Sequence, residues 1–240
     1  MSRPDHVVDG ITQMILDGEL TPGDRLPVEK ELAARLDVSR GSLREGVRAL
    51  SVLGVVESRQ GDGTYVTTLD PSLLVAPLGL VIELQSAGHA LPVHAVRRVL
   101  ETEAAGLAAS NAGESQSALG RASAALEDAA DVLAGSPGGA SADVDHERLL
   151  QADIAFHRAI ADAAGNPVLA ALIEALAGRT ARHRLWRGIA DAGADQRTQH
   201  EHEAVLAAVT DGDPERAKVR MATHLLEVED FLRARSEPTG

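Results

Sequence analysis

The sequence predicts a mainly α-helical protein in two parts. An N-terminal unit of three helices and a two-stranded wing comes first, then an all-α bundle of about seven helices. Three observations carry this reading. Hydrophobic residues make up 44% of the 240 residues and charged residues 25%, which is ordinary usage for a globular chain. Aromatic side chains are scarce, with one Trp, one Tyr and two Phe, where a β-sandwich or a base-stacking platform needs more. The apolar mass is instead Ala, Leu and Val, which favours helices packed closely through small side chains.

The elements follow in order. Val7, Ile11, Met14 and Ile15 form one apolar helical face, ended by Asp17-Gly18 and the turn Thr21-Pro22-Gly23-Asp24. Pro27 precedes a second helix, Val28 to Leu36, with Leu32, Ala33 and Leu36 on one side. After the tight connector Asp37-Val38, Ser39 is placed to cap a third helix whose inner face is Leu43, Val47, Leu50 and Leu53. Gly54 ends that helix where a left-handed residue is wanted. Val55–Ser58 and Thr64–Thr67 read as two strands joined by the Gly-rich segment 59–63. Beyond Asp70-Pro71 the pattern is helical, with helices expected near 72–86, 92–111, 115–134, 145–164, 167–189, 197–211 and 214–234. The run 135–143, rich in Gly, Ser and Ala, is a flexible break. The expected division is 1–68 and 69–240.

Three helices followed by a two-stranded wing is the winged helix-turn-helix pattern, in which the third helix enters the major groove of DNA. That helix opens Ser39-Arg40-Gly41-Ser42-Leu43-Arg44. Arg40 and Arg44 are four apart and share a face opposite Leu43 and Val47. Arginine pairs bidentately with guanine or phosphate, and the hydroxyls of Ser39 and Ser42 can donate to phosphate. Lys30, on the preceding helix, can anchor the DNA backbone. The wing tip Gln60-Gly61 is small enough to approach the minor groove. The competing reading makes the arginines solvated surface charges, but they come together with the turn and the wing. Net charge argues against a generally basic DNA-binding chain. It is −13 overall, and the first 68 residues carry eight Lys and Arg against eleven Asp and Glu, so any DNA surface is a local patch.

Residues 5–67 resemble the GntR family of bacterial transcription regulators. The resemblance rests on Pro22-Gly23-Asp24-Arg25-Leu26-Pro27, Glu31-Leu32-Ala33, Val38-Ser39-Arg40, Leu43-Arg44-Glu45 and Gly61-Asp62-Gly63-Thr64-Tyr65-Val66. It implies that Lys30, Ser39, Arg40, Ser42, Arg44, Gln60 and Gly61 occupy DNA-contact positions. One departure is Gly46, where the family commonly has Ala, at a cost of roughly 1 kcal/mol in a helix interior.

Three of the nine histidines fall within apolar helical stripes. Asp153 and His157, spaced i, i+4, share a face with Leu149, Leu150, Ile160 and Ala164. His202 is in register with Val205, Leu206 and Val209, and His224 with Met221, Leu225, Val228 and Phe231. His200 competes with His202 but lies on the weaker face of Ala204 and Ala207. His6, His89, His94, His146 and His183 show no partner pattern. An acid and three imidazoles turned inward from three helices are costly unless paired, and one divalent cation satisfies all four. Three His with one carboxylate suits zinc, with nickel and manganese next. The alternative for any single histidine is a hydrogen-bonded core residue.

This region resembles the FCD effector domain of the FadR subfamily. The matching features are Asp153-x3-His157, Gly165-Asn166, Glu201-His202, Gly212-Asp213 and His224-Leu225. The resemblance implies a metal held by Asp153, His157, His202 and His224 that helps bind a small carboxylate effector. Seven helices match the longer branch of the subfamily, whose acyl-CoA-binding members lack the metal motif. The expected ligands are therefore sugar acids, hydroxy acids or small dicarboxylates. Arg97, in a stripe with Val93, Leu100 and Ala104, can fork onto the ligand carboxylate or form a salt bridge with Glu101. Arg98 shares its face with His94 and Glu101 and is read as solvated. Asn166, before Pro167, is first a helix cap and second an effector contact.

The expectation is a homodimeric repressor reading a palindromic operator. Two rivals are a metalloenzyme with a fused DNA-binding domain and a regulator whose metal is structural or sensory. Catalysis would need a general base near the metal, and Glu201 and Glu203 project off the His202 face, so no catalytic residue is assigned. The absence of cysteine excludes disulfides and thiol chemistry and suits a cytoplasmic protein. No membrane partner is expected, since the most apolar stretch, Leu73 to Leu84, is short and interrupted by Pro77.

Overall fold

In a computed structural model, residues 3–73, 75, 90–135 and 144–236 are described, except the side chains of 178, 179, 182, 183, 235 and 236. Most of the expected helix 72–86, most of the 135–143 break, His89 and the His183 side chain fall outside them. The chain divides into two compact units, Met1–Pro77 and Leu78–Gly240.

In the first unit, α1 (Arg3–Leu16), α2 (Glu29–Arg35) and α3 (Arg40–Val52) surround a core of Val7, Ile11, Leu32, Leu43 and Leu50. The Ser39 side chain accepts the Ser42 N–H at 3.1 Å, satisfying one of the free donors at the start of α3. Gly54 follows the end of α3 with φ +75°, a conformation that favours glycine. Gly46 has a packing reason. A Cβ there would stand 2.5 Å from Val7 Cβ, so glycine lets α1 and α3 cross at close range.

The wing is β1 (Val56–Arg59) paired antiparallel with β2 (Gly63–Val66), in register Val56↔Val66 and Arg59↔Gly63. The hairpin is one residue out of phase with the expected strands, leaving Gln60-Gly61-Asp62 as its tip. The sequence reading also missed a third partner. The segment after the Pro22-Gly23 turn lies along β2, with Leu26 N donating to Thr64 O at 2.8 Å and Val66 N to Asp24 O at 2.8 Å. Arg25 reaches from it to the Asp62 carbonyl at the wing tip. Turn residues masked this short extended run.

In the second unit, six helices are described: α4 (Ala90–Ser110), α5 (Gln116–Ala134), α6 (His146–Ala163), α7 (Pro167–Ala190), α8 (Ala194–Thr210) and α9 (Pro214–Ser236). α4 packs against α6, α7, α8 and α9, while α5 lies on α6 and α8. Their core is rich in alanine, with Ala105, Ala108, Ala122, Ala159 and Ala208 around Phe156, Met221 and Leu225. Small side chains bring the helix axes close, so polar groups on inward faces meet across short distances. α8 begins three residues before the expected 197, because its cap, Gly193, offers no side-chain oxygen to mark the start.

Candidate functional site

α6 supplies Asp153 and His157 one turn apart, α8 supplies His202 and α9 supplies His224. One ligand atom from each lies within 4.8 Å of all the others. His202 Nε2 is 3.1 Å from His224 Nε2, and Asp153 Oδ1 is 3.8 Å from both His157 Nε2 and His202 Nε2. Phe156 stacks on His202, ring centroids 4.3 Å apart, and closes one side of the cluster. The competitor His200 is exposed.

The outer nitrogens of two imidazoles face carboxylates. His224 Nδ1 is 2.8 Å from Glu201 Oε2, and His157 Nδ1 is 2.5 Å from Glu101 Oε2. A carboxylate facing Nδ1 favours the tautomer with its proton there and the Nε2 lone pair toward the cluster, the one metal-binding histidines need. Both ring nitrogens of His157 are buried and neither makes a hydrogen bond of good geometry among the described residues, Nδ1 meeting Glu101 only as a close charge contact. Burial pushes His202 well below the ordinary histidine range, with the charges of His224 and His157 acting in the same direction. Burial likewise lowers His224 to about 4, against the opposing hydrogen bond that its ring makes to Glu201. Three buried imidazole Nε2 atoms gathered beside a carboxylate are a donor set that fits a divalent cation.

The sequence reading missed both supporting carboxylates. Glu201 does project off the His202 face, but that direction brings it to His224 on the neighbouring helix. Glu101 also takes Arg97, whose Nε donates to Oε1 at 2.6 Å. Burial alone would raise the Glu101 carboxyl, but the charges of Arg97 and His157 outweigh it and hold the group well below the usual carboxylate range. The salt-bridge alternative for Arg97 is therefore realised. Arg97 is fully buried, its Nη1 donates to Thr180 Oγ1 at 2.6 Å, and its Nη2 has no partner among the described residues. Arg98 keeps part of its side chain exposed, as expected, but is also paired: its Nε donates to the buried Glu229 at 2.7 Å. Asn166 caps α7, accepting from Val168 N and Leu169 N, both at 3.1 Å. Of the described residues that line the cavity, Asn166 is not one.

That cavity, of about 60 Å³, lies beside the cluster and is lined by Asp153, His202, His224, Arg184, Arg187 and Gln199 among others. Arg184, another residue with no sequence signal, pairs with Asp153, and its Nη2 donates to Ala177 O at 2.9 Å. Burial pushes its guanidinium well below the ordinary arginine range. His146, read as patternless, pairs with Asp195 at 3.0 Å further along the same cavity. The chemistry on offer is a cation site flanked by buried guanidinium groups, which suits a small anion.

The first unit carries the second candidate surface. Lys30, Ser39, Arg40, Arg44, Gln60 and Gly61 are exposed and Ser42 is half-buried. Arg44 is held by Glu29 at the start of α2, Nε to Oε1 at 2.9 Å and Nη2 to Oε2 at 3.0 Å. The hydrogen bond from Arg44 lowers the Glu29 carboxyl against slight desolvation, helped by the charges of Arg44 and Arg40. On the wing, Arg59 lies over the Tyr65 ring at 4.1 Å and Tyr65 OH donates to Asp62 at 2.7 Å.

Comparison with known proteins matches both units. Residues 4–66 match the model of bacterial regulatory proteins of the gntR family, and residues 93–227 match the FCD domain. The HTH-type transcriptional regulator LutR of Bacillus subtilis (strain 168) is 35% identical over 224 residues, 91% of this chain and 96% of that protein. The HTH-type transcriptional repressor NanR of Klebsiella aerogenes is 31% identical over 95% of this chain and 84% of its own length. A putative L-lactate dehydrogenase operon regulatory protein of Escherichia coli (strain K12) is 28% identical over 92% of this chain and 83% of its length. Among solved structures, Streptococcus agalactiae GntR superposes with a TM-score of 0.67 at 26% identity, covering 95% of this chain and 99% of that one.

Proposed function

The chain belongs to the GntR family of bacterial regulatory proteins with an FCD domain, and on that premise we propose that it is a homodimeric repressor controlled by a small carboxylate. It is a DNA-binding transcription regulator and not an enzyme, since its relatives and its structural neighbour are regulators. Among the described residues no helix is long and apolar enough to cross a membrane. The proposal concerns the effector, the metal, the operator and the assembly, with the protein acting in the cytoplasm where its DNA lies.

The observation that carries it is the gathering of the His157, His202 and His224 imidazoles around Asp153, with Glu101 and Glu201 facing the outer Nδ1 atoms of His157 and His224. Asp153, His157, His202 and His224 would hold a divalent ion, zinc first and nickel or manganese next. When bound, the ion supplies Lewis-acid positions for a carboxylate and an adjacent hydroxyl oxygen. Arg184 lines the same cavity and is placed to take remaining negative charge. Arg97 contributes in this reading through Glu101, which it anchors beside His157.

Sugar acids, hydroxy acids and small dicarboxylates fit this chemistry. The relative named for an L-lactate dehydrogenase operon favours a 2-hydroxy acid among them. Two copies of the winged unit would read the halves of a short palindrome, with Lys30, Ser39, Arg40, Ser42, Arg44, Gln60 and Gly61 facing the duplex. The effector shifts DNA affinity only by binding one of two helix arrangements more tightly.

The test is a mobility shift on a duplex selected from a random-sequence library by the metal-loaded protein. One member of an acid panel should weaken binding at least tenfold, and His157→Ala and His224→Ala should abolish that response. A full response in either variant would contradict the metal-linked reading.

A further inference from the structure

Glu29 is the first residue of α2 and Arg44 lies in the second turn of α3, both exposed. The Glu29 carboxylate takes the Nε–H of Arg44 at 2.9 and 3.2 Å and an Nη2–H at 3.0 Å. It therefore covers one edge of the guanidinium. An exposed ion pair of this kind adds little to fold stability, so its main consequence is for what Arg44 can do next.

A guanidinium presents five N–H donors in a rigid plane. Two edges can make paired, parallel hydrogen bonds: the side edge, Nε with Nη2, and the terminal edge, Nη1 with Nη2. Glu29 takes the first. The second remains open, with the side chain already fixed in direction. A neutral guanine edge, with O6 and N7 acceptors, accepts that fork without electrostatic penalty. A phosphate arriving at the same fork meets the nearby Glu29 charge and is repelled.

We infer that Glu29 is a specificity-determining positioning residue: it converts Arg44 from a phosphate clamp into an end-on reader of guanine. Arg40, which no carboxylate holds in this way among the described residues, keeps its freedom to bind phosphate or base. The two arginines on one helical face, alike in sequence, thus have different tasks.

The test uses the full-length, metal-loaded protein. Wild type, Glu29→Gln, Glu29→Ala and Arg44→Ala are each taken through selection from a random-sequence duplex library. Each is then titrated against the wild-type-enriched duplex and a scrambled duplex of equal length. Both Glu29 variants should bind the scrambled duplex several-fold more tightly. Their preference for the enriched duplex should drop about tenfold, with loss of the same guanine position that Arg44→Ala loses. The dependence of log affinity on log salt should steepen by about one for the Glu29 variants as Arg44 turns to phosphate. An unchanged base preference in both Glu29 variants would overturn the inference. So would an equal loss of affinity for both duplexes with an unchanged salt slope, which is what a purely structural role produces.

Discussion

Glu101 joins two buried groups at once: one carboxylate oxygen lies 2.6 Å from Arg97 Nε and the other 2.5 Å from His157 Nδ1. A single acid on α4 thereby faces a ligand on α6 and neutralises a fully buried guanidinium. Glu101→Gln should weaken metal binding roughly 10- to 100-fold, the usual effect of losing a supporting carboxylate. It should also destabilise the protein by about 3–5 kcal/mol, because the buried Arg97 loses its counter-charge and keeps only the Thr180 hydroxyl. Metal titration calorimetry and denaturant unfolding of the same variant check both effects.

Removing a ligand outright should separate metal binding from folding. His157→Ala and His224→Ala should each bind zinc at least 100-fold more weakly than wild type. Chelation should lower the melting temperature of wild type and leave these variants nearly unchanged, because only a bound ion contributes stabilisation by mass action. A chelator-induced shift of full size in either variant would argue against these ligands.

Gly46 gives a prediction with opposite local and global terms. Gly46→Ala gains roughly 1 kcal/mol of helix propensity. Its Cβ would meet Val7 at 2.5 Å, and overpacking of this kind costs about 1–3 kcal/mol. The net should be destabilising in urea unfolding, and the loss should persist in a Val7→Ala double variant, because alanine keeps the Cβ that the new methyl meets.

Substitutions on the DNA surface are predicted to leave the metal site intact. Arg40→Ala and Arg44→Ala should each cost about 1–3 kcal/mol in affinity for a selected duplex, the range for one bidentate base contact. Metal content, measured by atomic emission, should stay at the wild-type level. Fluorescence anisotropy on the same duplex gives the affinity, and wild-type binding by Arg44→Ala would contradict its assignment to the interface.

Much of this was legible in the sequence because the signals were local. The apolar periodicities of α1 and α3, the Ser39 cap and Gly54 fixed the helical unit, while Gly-rich residues marked the hairpin. The four candidate ligands were legible because each histidine broke an otherwise apolar stripe. What escaped notice depends on contacts between helices far apart in sequence. Glu201 looks misplaced on its own helix and becomes a partner only once α9 is packed beside α8. Arg184 sits in a charged run that reads as solvated surface, yet pairs with Asp153 inside the unit. Arg98 reaches Glu229 across 131 positions, a pairing no spacing rule could find. The third extended segment of the wing was hidden by the turn residues that begin it.

The central claim, that a small acid binds at the metal cluster, is tested most directly by thermal unfolding of the metal-loaded protein with sugar acids, hydroxy acids and dicarboxylates, repeated after chelation. The predicted result is one acid class that raises stability by about 2.7 kcal/mol at a hundredfold excess over its Kd, an effect abolished by chelation and absent in His157→Ala. An acid-induced shift that survives both treatments, or a panel without effect on a protein that chelation strongly destabilises, would contradict it.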